Sequence, residues 1–204
     1  MTASKWDLLD QAYGALRSVV AAMPADALGA PTPCDQWNVG QVLQHAAGDQ
    51  LAYAGRLTGG PGPAEDPFAP TGTLAGSPAE LLEPALAAGA EAFAGVLPGT
   101  AEVAVPLPPF TLPAETAVAA AALDAAVHAW DLAVATGQAS PLTPALAAAL
   151  SPAARLLAEP LRCAVRVRPG ARSRARSGRR SGRCAARLPG PPRRLDAARR
   201  MTSG

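Results

Sequence analysis

Alanine supplies much of the apolar content of this chain, and that choice leaves few folds open to it. Hydrophobic residues make up 49% of the 204 positions, yet aromatics make up only 4%. Alanine is the strongest helix former, and its short side chain lets helices approach closely. An all-α protein of thin, close-packed helices is expected, rather than a β protein. The periodicity agrees. Trp6, Leu9, Tyr13, Leu16, Val19 and Val20 recur at spacings of three and four, which predicts an amphipathic first helix over residues 5–24. Asn38 is an N-cap candidate for a second helix that carries Val39, Val42, Leu43, Ala46, Ala47 and Leu51 to about Leu57. Gly59-Gly60-Pro61-Gly62-Pro63 ends it. Residues 59–77 read as a long irregular loop, a length often associated with function or mobility, and as the natural candidate to cover a site. Ser77 with Glu80 forms a capping-box pattern ahead of a third helix from Pro78 to about Leu97, in which Pro84 and Gly89 predict a kink or a break. Val103-Ala104-Val105 reads as a short extended segment. Pro113 opens a fourth helix that runs to about Thr136, and a fifth is expected from Thr143 to about Glu159, interrupted at Pro152. Four or five helices over about 160 residues are enough for one core.

The overall charge of +2 conceals a division of the chain. Residues 1–161 hold four basic and fifteen acidic residues, a net of −11, whereas residues 162–204 hold fourteen arginines and one acid, a net of +13. The expected organisation is a folded body, 1–161, and a basic tail, 162–204. The tail is dominated by Arg, Gly, Pro, Ser and Ala without apolar period, so it cannot bury enough surface to offset its ordering entropy and is expected to be disordered. Three readings of it stay open: a basic arm for nucleic acid or an anionic membrane, a solvated tail, or a reading-frame product of a GC-rich gene. The acidic body argues against nucleic-acid binding by the folded part. Cys34, Cys163 and Cys184 form neither a metal-type pair nor an even disulfide set, so a reducing cytoplasm is expected. The N-terminus lacks the basic-then-apolar order of a secretory signal. No uncharged apolar stretch reaches the roughly 18–20 residues that span a bilayer, and no membrane association is expected.

The chain has two histidines, His45 and His128. Asp124 and His128 stand four residues apart on the fourth helix, on one face and about 5–6 Å apart at Cβ. A carboxylate and an imidazole so placed can bind one metal ion. Asp131 follows three residues later, as a further ligand or as an acceptor that fixes a histidine tautomer. His45 stands at the edge of the second helix's apolar stripe. If the two helices face one another, His45, Asp124 and His128 form a two-histidine, one-carboxylate set with open positions for water or substrate. The plainer alternative is an ion pair between His128 and Asp124 with His45 as a hydrogen-bonded core residue. Asp49 reads as a surface or outer group, Cys34 as a half-buried structural cysteine whose thiol Asp35 would only make harder to ionise, and Trp37 and Trp130 as core anchors.

Two segments carry a resemblance. Pro31-Thr32-Pro33-Cys34-Asp35-Gln36-Trp37-Asn38-Val39, followed by Leu43 and His45, resembles the entry to the second helix of actinobacterial metal-binding proteins of the DinB-like superfamily. Val127-His128-Ala129-Trp130-Asp131-Leu132-Ala133 with Thr136-Gly137 resembles their later helix. The resemblance covers about residues 5–160 and extends to the N-terminal domain of mycothiol-dependent maleylpyruvate isomerase. It implies a DinB-like four-helix bundle and a divalent metal, usually zinc, held by His45, Asp124 and His128. It also implies mycothiol as a co-substrate thiol acting on an electrophilic small molecule, as in a transferase or isomerase, and it is compatible with a homodimer. The isomerase has glutamate where this chain has Asp124, a shorter arm, and the tail after Arg162 matches nothing in the family. Two other functions remain: a non-catalytic metal-binding module for stress or sensing, and nucleic-acid binding through the tail, which would be steeply salt-dependent.

Overall fold

The computed structural model describes residues 6–107 and 110–167. Five helices carry the chain: α1 (Asp7–Ala21), α2 (Val39–Thr58), α3 (Pro78–Ala94), α4 (Ala114–Ala135) and α5 (Pro144–Val167). A turn of 3-10 helix lies at Ala27–Gly29. Two-residue strands β1 (Val103–Ala104) and β2 (Thr111–Leu112) pair antiparallel between α3 and α4. The expected extended segment at residues 103–105 is one arm of that hairpin.

Helices α1 to α4 form a ring in which α1 packs on α4, α4 on α2, α2 on α3 and α3 on α1. This is the expected four-helix bundle, with α5 laid against α4 and α1. Helix α4 is the hub because alanine fills half of its positions. Ala114, Ala117, Ala121, Ala122, Ala125, Ala126, Ala129 and Ala133 are completely buried, which is possible only where neighbours approach from several sides. Its mean hydropathy of 1.4 over a membrane-length window would suit a bilayer, but 67% of that window is buried within the bundle, and Asp131 points inward.

The helix starts follow the capping chemistry. Asn38 accepts from the Gln41 backbone while the Gln41 side chain accepts from the Asn38 backbone, and Ser77 and Glu80 do the same for α3. Three expectations are corrected. Pro84 and Gly89 do not break α3, which is continuous; Gly89 lies against the hydroxyl of Tyr13, where a Cβ would collide. Pro152 does not interrupt α5. Helix α5 also continues past Glu159 to Val167, across the composition break at Arg162; Leu161, Arg162, Cys163 and Ala164 carry no helix breaker. Residues 168–204, with most of the predicted basic tail, lie outside the described residues.

The loop between α2 and α3 is tied down. Gln41 Nε2 donates to the Pro70 carbonyl, Gln44 Nε2 to the Thr73 carbonyl, and the Gly72 backbone N–H donates to Gln44 Oε1. Gly40, Gly48 and Gly55 of α2 lie under Gly72, Pro67 and Gly62, and a Cβ at any of them would meet the loop at 2.6–2.9 Å. The missing Cβ atoms at these three positions are what let the loop sit close to α2.

Candidate metal centre

Where α2 crosses α4 the two histidines meet. The rings of His45 and His128 lie 4.8 Å apart, edge to face. Ligand atoms of His45, Asp124 and His128 all lie within 4.8 Å of one another, so a small inward shift of the side chains would let the three share one ion.

Each imidazole is oriented through its other nitrogen. His45 Nδ1 is 2.9 Å from the Pro67 carbonyl. A carbonyl only accepts, so Nδ1 carries the hydrogen and Nε2 presents its lone pair. His128 Nδ1 donates to Asp131 Oδ2 at 3.3 Å, leaving Nε2 facing Asp124 Oδ1 at 3.4 Å. Asp131 is thus the tautomer-fixing acceptor, one of its two expected roles. It also accepts from the Cys34 thiol at 3.5 Å. Asp49 is not a surface group: its side chain is 13% exposed, and its Oδ2 stands 3.5 Å from His45 Nε2. A spacing of four residues places His45 and Asp49 together on the inward face of α2.

The electrostatics reflect three carboxylates around two imidazoles. Burial alone would push His128 down, but the charges and hydrogen bonds of Asp124 and Asp131 hold it up at about 10. Burial likewise opposes ionisation of Asp124, yet His128, His45 and the Gln50 amide keep its carboxyl below the usual range. Asp49 is raised to about 8, first by burial and then by Asp124. His45 is lowered by burial and by the neighbouring His128 charge. At neutral pH His128 and Asp49 thus hold their protons, and a cation bound here would take the place of those protons beside Asp124.

The walls come from segments that spacing alone did not place. The loop at residues 31–38 is closed by a bridge between Pro31 and Asn38 and by Thr32, whose hydroxyl donates to the Trp37 carbonyl. It sets the Trp37 ring 4.7 Å from His45. From the other side Phe68 of the 59–77 loop comes to 5.3 Å. Trp37 is therefore half-buried against the site. Trp130 is not a core anchor at all, being 38% exposed; two residues beyond inward-facing His128, it is turned about 200° around the helix. Beneath the site Tyr53 is buried, and its hydroxyl has no hydrogen-bond partner among the described residues. A cavity of about 290 Å³ lies between α2 and the loop, lined in part by Gly48, Leu51 and Pro67; none of the three candidate ligands lines it.

The bundle and its inward-facing histidines and aspartates define a class, that of the helical bundles with a candidate metal centre. Within that class, residues 9–133 match the family described as the mycothiol maleylpyruvate isomerase N-terminal domain, and the chain belongs to it. Two uncharacterized proteins of Mycobacterium tuberculosis, one of strain CDC 1551 / Oshkosh and one of strain ATCC 25618 / H37Rv, are each 35% identical over 150 residues, spanning 74% of this chain and 77% of theirs. No solved structure matches the chain.

Proposed function

We propose that this protein holds one divalent ion of the zinc type through His45 Nε2, Asp124 and His128 Nε2, and uses it in thiol-dependent transfer or isomerisation with mycothiol as co-substrate. The observation that carries the metal is the convergence of three ligand atoms within 4.8 Å, with both histidine Nδ1 atoms already engaged. A bound divalent ion would favour thiolate over thiol at neutral pH. The chain's own residues orient the imidazoles, through Pro67 and Asp131, and wall the site with Trp37 and Phe68. Cys34 does not supply the sulfur, because burial and Asp131 raise its thiol to about 11. The reacting thiol must then come from a small molecule. A cytoplasmic setting is proposed with it, since such thiols persist where conditions are reducing.

Elemental analysis of the purified chain should find about one zinc-type ion per molecule, and His128→Ala should lose it. Equal trace content in both proteins would remove the metal centre. Metal-dependent conjugation of mycothiol to electrophiles is then expected. Stoichiometric metal without turnover would instead assign the non-catalytic binding role.

A further inference from the structure

Among the described residues Gln50 is the one fully buried side-chain amide, with no solvent exposure. Its hydrogen bonds connect α1, α2 and α4. Nε2 donates to Asp124 Oδ2 at 2.9 Å and to the Ala121 carbonyl at 3.4 Å, while Oε1 accepts from the Tyr13 hydroxyl at 2.7 Å. The orientation of the amide is forced. Turned over, it would set an oxygen against a carboxylate and a carbonyl, neither of which can donate. Tyr13 is itself buried, at 1% exposure, and its hydroxyl has room only because residue 89 of α3 is glycine.

This arrangement divides the two oxygens of Asp124. Oδ2 is taken by Gln50, and Oδ1 is left 3.4 Å from His128 Nε2. A core position filled only for volume would be met more cheaply by leucine or methionine, since a buried amide must have all its groups satisfied. We propose that Gln50, backed by Tyr13, is a positioning residue that holds Asp124 as a one-oxygen donor with Oδ1 turned toward the site. The proposal rests on the reading of His45, Asp124 and His128 as a metal centre. It implies a relay, Tyr13 to Gln50 to Asp124, in which each member acts through the next.

The test uses the full chain with zinc or cobalt(II) alone. Zinc affinity is measured by competition with a chromophoric chelator, and the cobalt visible spectrum reports coordination, which a change in core packing alone would leave as it is. Gln50→Met should weaken zinc by about tenfold or more, the usual cost of losing a partner behind a ligand, and should alter the cobalt spectrum. Tyr13→Phe, which removes one hydroxyl and keeps the ring, should weaken zinc a few-fold, and its effect should vanish in the Gln50→Met background. Zinc binding by a folded Gln50→Met within twofold of wild type, with an unchanged cobalt spectrum, overturns the relay and leaves the metal centre standing. Should Gln50→Met fail to fold, Tyr13→Phe with unaltered affinity and spectrum overturns it equally. A wild-type protein that binds neither metal defeats the metal centre itself, and the relay with it.

Discussion

Cys34 stands at the edge of the site, its sulfur against Asp131, yet its surroundings make it a poor nucleophile. Burial comes first and the Asp131 carboxylate second in raising the thiol to about 11, against an ordinary value near 8.5. Reactivity follows the thiolate, so alkylation of Cys34 resolved by mass spectrometry should stay slow through pH 9 and climb only toward pH 11. An inflection at or below pH 8.5 would show that the thiol is activated and would reopen it as a nucleophile. Asp131, which accepts from both Cys34 and His128, is the residue through which this cysteine and the candidate ligands are joined.

Among the helices, side chains that are absent matter as much as those present. Helix α4 can be surrounded because alanine lets α1, α2 and α5 close on it. Replacing fully buried Ala125 with leucine should therefore cost about 1–3 kcal/mol by overpacking, read from chemical denaturation; an unchanged midpoint would show slack in that contact. Gly89 on α3 permits a sharper test. Mid-helix, alanine is favoured over glycine by roughly 0.5–1 kcal/mol, but here its Cβ would collide with the Tyr13 hydroxyl. Gly89→Ala should destabilise the wild-type background and stabilise the Tyr13→Phe background, a reversal of sign visible in paired melts. The same sign in both would show that α1 and α3 do not meet through that hydroxyl.

For the molecule as a whole, the cluster ties stability to pH. Asp49 is raised to about 8 and His128 to about 10, both above their ordinary values near 3.9 and 6.5. A group whose pKa is higher in the folded state contributes stability that is full below its unfolded value and is lost as pH rises through the folded one. Asp49 thus withdraws support up to about pH 8, and His128 between about 6.5 and 10. Chelator-treated protein should melt at progressively lower temperature from pH 7 to pH 10. Zinc should flatten that decline, because the ion takes the place of the protons. Melting that is independent of pH over this range, or that rises, would contradict the assignment of charges in the site.

The alanine content and the three- and four-residue periods determined a bundle of four or five helices, and local chemistry set the starts of α2 and α3, because capping acts over three or four neighbouring positions. Asp124 and His128 were legible as a pair for the same reason: one helical turn joins them whatever surrounds it. Gln50 falls seven residues after Leu43 and three after Ala47 on the inner stripe of α2, and a polar residue there was a readable sign of a buried partner, but not of which one. Only the tertiary structure decided that partner, the inward turn of Asp49, the exposure of Trp130, and the continuity of α3 and α5 through their prolines. Each of these depends on what packs against a helix from a distant part of the chain, and sequence spacing carries information along one helix, not between two.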